Sequence, residues 1–236
     1  LDRRRFWHVR LVIPALADWT TPAWTLDDCV LTLPEGLRVS VTGDLRLTNH
    51  ASLTLVAAAT NDLSRRYGAE LNIDGDLTIA TNCWIHPQAH PTNAAIVGIR
   101  VARHAILAAG GGIDATGLGY HAAPDNTLGP GAGQSTYGSG GGYGGAGGGA
   151  KGGTSYGRAE LPLEPGSPAG WNGYGGAGGY SVGGGGGGAV HVRAGGELRV
   201  DGRVAADGWF GSYYRGSGGS GGSILLAAPR VTGGGL

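Results

Sequence analysis

Apolar and polar residues alternate along short stretches of this chain, and the alternation has a period of two. Leu45 and Leu47 illustrate the pattern, as do Leu71 and Ile73, because a single residue separates the members of each pair. A period of two predicts β-strands with one buried face. Each stretch is about the length of an ordinary short strand, and bends that contain glycine separate the stretches. The 3.6-residue period of an amphipathic helix is almost absent, so the pattern predicts an all-β protein.

The alternating stretches recur in the same order, which indicates an internal repeat. Four segments align without gaps, and a fifth copy begins at Ser223: residues 30–49, 62–81, 98–117 and 189–208. A glycine occupies the same aligned position in each full copy: Gly43, Gly75, Gly111 and Gly202. Successive copies are 32, 36 and 91 residues apart, and Ile224 follows Val190 by 34. The spacing predicts a repeat of about 32–36 residues with one long insertion.

Short strands that recur at this spacing predict a parallel β-helix, or β-solenoid, in which equivalent positions of successive coils stack. An antiparallel sandwich also has regularly spaced strands, but it does not explain why the same strands recur in the same order. We therefore divide the chain into four parts. These are an N-terminal cap or contact segment, the first coils, a Gly- and Tyr-rich insertion, and further coils with a truncated or stacking end: 1–27, 28–117, 118–188 and 189–236.

Composition narrows the possible functions. The chain has 51 glycines, a charged fraction of 14 % and no net charge. A neutral chain lacks the basic surface of a nucleic-acid-binding protein, and no apolar run reaches the roughly 18 residues of a membrane helix. Glycine does not recur at every third residue, which excludes collagen. We expect no cofactor, no nucleic-acid partner and no membrane span.

The string GGELRVDGRVAADG, followed by a glycine-rich tract and then GGSGGSILLAA, resembles the repeats of large secreted bacterial surface proteins. These are Gly-rich parallel β-helix proteins, with remote architectural kinship to haemagglutinin-like adhesins and pectate-lyase-like solenoids. The resemblance covers about residues 28–236 and is one of repeat style. It implies an extracellular or cell-surface location and a structural or adhesive role.

Residues 110–188, which include the insertion, hold 33 of the 51 glycines. One interpretation is a flexible linker. The other is an ordered loop in an extended, polyproline-II-like conformation, packed on the flank of the solenoid. Spaced aromatic residues favour the ordered interpretation, because a linker does not need them. A second loop at residues 209–215 leaves the fourth copy and is expected to meet the insertion.

Nine aromatic residues of these loops are candidates for binding a sugar or a protein partner, because aromatic faces give contact area at a low entropy cost. They are Tyr137, Tyr143, Tyr156, Trp171, Tyr174, Tyr180, Trp209, Tyr213 and Tyr214. The alternative is that the rings cover glycine backbone and stabilise the loops.

An enzyme on the same scaffold is the second hypothesis, because some polysaccharide lyases and glycoside hydrolases are β-helices. Such a site would need paired carboxylates, for which Asp125 with Glu160 or Glu164 is the candidate set. Asp74 and Asp76 flank a recurrent bend, where acidic residues are usually solvated turn formers. Three residues form a weak metal-ligand group: Cys83, His86 and His90. We expect no metal site.

Two features remain open at this point. Cys29 and Cys83 allow one disulfide, and the sequence does not decide whether they meet. The last coil breaks off without a polar cap, which predicts either a longer natural chain or head-to-tail stacking of subunits into a fibre. The leading hypothesis is a non-enzymatic extracellular structural or adhesive protein whose aromatic loops contact glycans, matrix or neighbouring subunits.

Overall fold

The computed structural model describes residues 18–59, 67–121, 129–134, 138–158, 160–170, 183–211 and 217–235. In these ranges every regular element is a β-strand. Seventeen strands form three sheets, and every strand pairs in parallel with its neighbours. The predicted parallel β-solenoid is therefore confirmed.

Each coil contributes one strand to each sheet in turn, so strands three apart in the chain become neighbours in space. Sheet A contains β1 (Asp18–Thr21), β4 (Arg38–Val41), β7 (Ala69–Ile73), β10 (Val97–Val101), β13 (Ala189–Ala194) and β16 (Ser223–Ala227). Sheet B contains β2 (Trp24–Asp27), β5 (Leu45–Thr48), β8 (Leu77–Ile79), β11 (Ala105–Leu107), β14 (Glu197–Val200) and β17 (Arg230–Thr232). Sheet C contains β3 (Val30–Thr32), β6 (Ser52–Val56), β9 (Trp84–Gln88), β12 (Gly112–Asp114) and β15 (Arg203–Ala205).

The coils differ more in length than the repeat predicts. Successive partners along one row of sheet A are 20, 32, 28, 93 and 34 residues apart. Gly98 pairs with Glu70 and not with Asp62, so the predicted alignment of the third copy is wrong by eight residues. The first coil also includes β1 and β2, which lie within the segment 1–27, so the solenoid extends at least to Asp18.

The four aligned glycines occupy two different corners of the coil. Gly75 donates its amide to the Gly43 carbonyl at 3.0 Å, and both lie between sheets A and B. Gly202 packs on Gly111, and both lie between sheets B and C. In each pair the two backbones approach so closely that a side chain would not fit at the later glycine, Gly75 or Gly202. Close approach between coils explains the glycines, although the prediction of one recurrent position is wrong.

The core is a set of vertical apolar rows inside the three sheets. One row of sheet A runs through Val39, Leu71, Ile99 and Val192, which pair in register and are at most 2 % exposed. Burial of one such side chain is worth about 1.5–3 kcal/mol. Because each inward residue lies on its equivalent in the next coil, the alternating pattern produces a continuous core.

A polar ladder follows the corner between sheets A and B. The Asp44 carboxylate accepts the Asp76 amide of the next coil at 2.9 Å, and the Asp76 carboxylate accepts the His104 amide at 3.0 Å. His104 Nδ1 then accepts the Glu197 amide at 3.0 Å. The Asp76 amide, and next the Arg46 guanidinium, hold the pKa of Asp44 below its usual range. Side chains at this corner therefore join four successive coils.

The glycine-rich segments form a second ordered unit beside sheets A and C, which we call the glycine bundle. It comprises the described parts of these ranges: 115–121, 129–154, 165–170, 183–188, 206–211 and 217–222. Three successive amides, from residue 140 to residue 142, donate to carbonyls in three different segments: Gly148, Gly218 and Gly131. Gly184 and Gly187 donate to Ser217 and Ser220, again in steps of three. This threefold pattern favours the ordered, polyproline-II-like interpretation over a linker.

Candidate functional site

The structure describes three of the nine candidate aromatic residues. Tyr143 and Tyr156 lie in the insertion, and Trp209 follows the last strand of sheet C. The other six lie outside the described residues: Tyr137, Trp171, Tyr174, Tyr180, Tyr213 and Tyr214. The site is therefore built here from the three that are described and from what surrounds them.

Tyr143 and Tyr156 pack against each other inside the insertion. Their ring centroids are 5.0 Å apart at an interplanar angle of 64°, an edge-on arrangement. The Tyr156 hydroxyl donates to the Pro165 carbonyl at 2.5 Å and accepts a hydrogen bond from Ser167 Oγ at 2.9 Å. Both rings are half-buried. These contacts are the ones expected of rings that stabilise the glycine backbone.

Burial also raises the pKa values of three tyrosines of the insertion, Tyr120, Tyr143 and Tyr156, which we call the tyrosine cluster. Loss of hydration raises the pKa of Tyr120 to about 12, with a smaller contribution from the Glu164 carboxylate. Burial is likewise the main cause of the raised pKa values of Tyr143 and Tyr156. The three hydroxyls therefore stay neutral at physiological pH. A neutral phenol does not act as a general base, and the Tyr156 hydroxyl serves as a hydrogen-bonding group to Pro165 and Ser167.

Trp209 forms an exposed aromatic pair with Phe210, a residue that the candidate set omits. Trp209 is 51 % exposed and Phe210 is 71 % exposed. Their ring centroids are 5.2 Å apart and the ring planes differ by 20°, so the rings stack. The adjacent Trp and Phe between two glycines, Gly208 and Gly211, are the sequence signal that marks this pair.

The glycine bundle holds the backbone of this pair on both sides. The Trp209 amide donates to the Gly185 carbonyl at 2.8 Å, and the Trp209 carbonyl accepts the Gly219 amide at 2.9 Å. The Trp209 side chain also lies over Gly117. The second predicted loop therefore meets the insertion at its described end, and the Trp209 backbone is held on both sides before any ligand binds.

A groove with both apolar and polar lining runs beside Trp209 on the outer face of sheet C. Its floor includes Thr54, His86 and Asp114, and Gln88 continues the lining. His86 Nδ1 donates to the Asp114 carbonyl at 2.9 Å, which leaves Nε2 as an acceptor in the neutral ring. An aromatic wall beside several hydrogen-bonding side chains is typical of a site that binds a polar ring.

The acidic candidates do not form a pair among the described residues. Asp125 lies outside the described residues, Glu160 is exposed, and Glu164 lies near the tyrosine cluster. Asp76 belongs to the corner ladder. Asp74 lies at the edge of a groove on sheet A. Neither predicted acid set, Asp125 with Glu160 or Glu164, is therefore shown as a pair by the described residues.

The weak Cys/His group does not converge. Cys83 is buried in the core, His86 faces the groove of sheet C, and His90 lies 3.8 Å from the Glu35 carboxylate. Within the described ranges, no three residues of the His, Cys, Asp and Glu types are arranged to hold a metal ion.

The two cysteines are free thiols in one corner row. The pairing of β3, β6 and β9 places Cys29 two coils from Cys83, with Ala51 between them. Neighbouring parallel strands are about 4.8 Å apart, so the two Cα atoms are separated by about 9.5 Å. A disulfide requires less than about 7 Å. The fold therefore excludes the bridge that the sequence left open.

The fold and the described site define a parallel β-solenoid with a glycine bundle on its flank and an exposed aromatic pair. Comparisons with protein-family models, with curated proteins and with solved structures give no match for this chain. In the part of the chain that the structure describes, no helix is long and apolar enough to cross a membrane.

Proposed function

We propose that this protein is a non-enzymatic, extracellular structural or adhesive protein that contacts a glycan. The solenoid is a rigid shaft, and the glycine bundle mounts an aromatic contact on its flank. The observation that carries the proposal is the exposed stack of Trp209 and Phe210 beside the groove of sheet C. The resemblance to repeats of secreted surface proteins supports the extracellular location.

The lining of the groove favours a neutral sugar over a protein partner, because its arginine, Arg203, is already ion-paired with Asp207 at 2.7 Å. A sugar ring offers an apolar face for Trp209 and hydroxyl groups for the polar floor. Thr54, His86 and Gln88 supply both donors and acceptors there. Because the Trp209 backbone is already held by hydrogen bonds to Gly185 and Gly219, little backbone entropy is lost there when a ligand binds.

Binding can be tested by isothermal titration with neutral hexaoses of glucose, xylose, mannose, galactose and N-acetylglucosamine. We expect one of them to bind, and Trp209→Ala to weaken that binding about tenfold or more, as loss of an aromatic anchor does. Ile106→Ala is the matched control, since Ile106 is 40 % exposed on the opposite sheet B. Equal losses in both variants, or no binding of any hexaose, would contradict the glycan proposal.

The alternative is a polysaccharide lyase or glycoside hydrolase. Asp114 is the one carboxylate among the described residues that line the groove, and its Oδ1 accepts the Thr116 amide. Hydrolysis of a glycoside ordinarily needs two carboxylates, which supports a binding role. Release of reducing ends or unsaturated uronides from soluble polysaccharides would favour the enzyme instead.

We also propose that a strand from a second copy of this chain covers the edge formed by β16 and β17. Among the described strands, each of these pairs on one side. Ile224 and Val231 on them are 41 % and 53 % exposed. Sedimentation velocity should show association that grows with concentration, whereas a single monomeric species would argue against stacking of copies.

A further inference from the structure

The outer face of sheet A carries a charged row that is balanced in the first coils. Arg38 lies between two acidic residues, with its guanidinium 3.1 Å from Glu70 and 3.8 Å from Asp18. Asn72 donates a further hydrogen bond to the Glu70 carboxylate at 3.4 Å. Opposite charges across neighbouring strands stabilise a sheet, so the charged side chains on this part of the face are paired with one another.

In the next two coils, the outward positive charges of sheet A have no acidic partners among the described residues. Arg100 of β10 and Arg193 of β13 are direct partners in the parallel register, and both are exposed. Neither has an ion pair or a hydrogen bond with a described residue. Like charges placed directly opposite each other destabilise a sheet. Two adjacent unpaired guanidinium groups are therefore a feature that folding alone does not favour.

The two arginines share a groove whose other walls suit a polar ligand. Asn72 and Ser40 line it on the side of the earlier coils. Gly98 lies beside the pair and has no side chain, and the Tyr67 ring packs over it. Glu70, which is already bound to Arg38, and Asp74 are the acidic residues of the groove. The groove thus places two arginines without ion pairs to described residues side by side, with Asp74 as the remaining unpaired acidic residue of its lining.

We propose that Arg100 and Arg193 form a binding site for the carboxylate or sulfate groups of an acidic polysaccharide. Each guanidinium presents a planar fork that matches an oxyanion. Their strands are about 4.8 Å apart, so one oxyanion, or two along a polymer, can engage both groups. Nucleic acid fits less well, because it is held by a broad basic surface. The site lies on sheet A and does not depend on the Trp209 groove of sheet C.

Affinity electrophoresis of the full chain with polygalacturonate, dextran sulfate and neutral dextran tests the site. We expect an anionic polymer to bind and neutral dextran not to bind, with binding weakened between about 20 and 150 mM NaCl. The double variant Arg100→Gln/Arg193→Gln should lose about tenfold or more in affinity. Polygalacturonate and dextran sulfate distinguish carboxylate from sulfate recognition.

The matched control is Arg46→Gln/Arg199→Gln, which removes the same charge from sheet B. These arginines are ion-paired with Asp44 and Asp201 at 3.1 and 2.6 Å. The control should keep its affinity within about twofold. Equal losses in both double variants, no binding of either anionic polymer, or equally tight binding of single-stranded DNA would overturn the proposal.

Thermal unfolding separates a binding role from a structural one. Without polymer, the Arg100→Gln/Arg193→Gln variant should melt at the same temperature as the wild type or higher, because a repulsion is removed. Addition of the bound polymer should raise the melting temperature of the wild type and leave that of the variant unchanged. A variant that melts lower than wild type in the absence of polymer would assign the two arginines to the fold and overturn the site.

Discussion

Gly186→Ala is the sharpest test of the glycine bundle. Gly186 is buried where three segments meet. A Cβ atom there would lie 2.7 Å from the Ser167 nitrogen and would overlap the Gly166 carbonyl group. Both neighbours are backbone atoms, which cannot rotate away as a side chain could. One added methyl group must therefore push two segments of the bundle apart.

The expected cost follows from the bonds that hold those segments together. The Gly186 amide donates to Tyr120 at 2.9 Å, the Gly186 carbonyl accepts the Gly119 amide at 2.8 Å, and Gly166 donates to Gly187 at 2.7 Å. A displacement of about 1 Å takes such bonds beyond the hydrogen-bonding range. Each is worth about 0.5–1.5 kcal/mol net, and overpacking costs about 1–3 kcal/mol. We expect a loss of about 3 kcal/mol or more.

Gly145→Ala is the control, because a Cβ at Gly145 meets nothing within 4 Å. Its effect on the free energy of unfolding should lie within about 1 kcal/mol of zero. Urea denaturation gives the global difference, and amide hydrogen exchange of residues 165–170 against that of β5 shows whether the bundle opens by itself. If the two variants have equal stability and equal hydrogen exchange, the glycine segments are not closely packed, and the result would favour the interpretation of the insertion as a flexible linker.

Leu77→Ala removes a fully buried side chain from the core of sheet B, so urea denaturation should show a loss of about 2–5 kcal/mol; Thr78→Ala, on the outward face of the same strand, should cost less than about 0.5 kcal/mol. The pKa of Asp44 is lower in the folded state than its ordinary value of 3.8. The ionised Asp44 carboxylate therefore contributes fully to folding stability above pH 3.8, and this contribution is lost as the pH falls through the lower pKa of the folded state. The melting temperatures of wild type and Asp44→Ala should therefore differ at neutral pH and converge in strong acid; a constant difference would contradict the ladder. Cys29 and Cys83 should both react with a thiol reagent after denaturation without reductant, and failure of either to react would refute the separation imposed by the coils.

The sequence predicted the solenoid correctly because burial alternates with a period of two along strands such as β5, β7 and β8. The register of the copies is less well specified. The predicted alignment of the third copy differs from the structure by eight residues, and that of the fourth differs by two at Gly98, which pairs with His191. Both errors are even numbers, so inward residues still face inward. Alternation therefore identifies the buried face of each strand, but only the lengths of the corners determine which residues stack.

The aromatic candidates show a different limit. Tyr143, Tyr156 and Trp209 all lie in glycine-rich surroundings, and composition alone treats them alike. In the structure, the hydroxyl of Tyr156 is engaged by Pro165 and Ser167, whereas the Trp209 ring stands half in solvent against Phe210. Contacts between segments far apart in the chain cause this difference. No local pattern encodes them.

The solenoid and the glycine bundle are stabilised differently: side chains form the core of the solenoid, whereas backbone hydrogen bonds hold the glycine bundle together. In the solenoid, hydrogen bonds run along the axis and leave room for side chains that form the core. In the glycine bundle, amides point to neighbours on several sides, so the segments pack with almost no side chains between them. Such a unit has little apolar core of its own, and it is stable because it is bonded to the coils, as through the Ala115 amide and the carbonyl of Ala205 in β15 at 2.8 Å.

This arrangement makes the bundle suited to presenting residues at its margin. Trp209 is bonded through both its amide and its carbonyl to bundle glycines, while its ring projects from the backbone into solvent. A flexible loop would lose conformational entropy on ordering such a ring, whereas a backbone held on both sides has already lost it during folding. The abundance of glycine thus supports a rigid aromatic contact, because segments without side chains can pack closely enough to hold it.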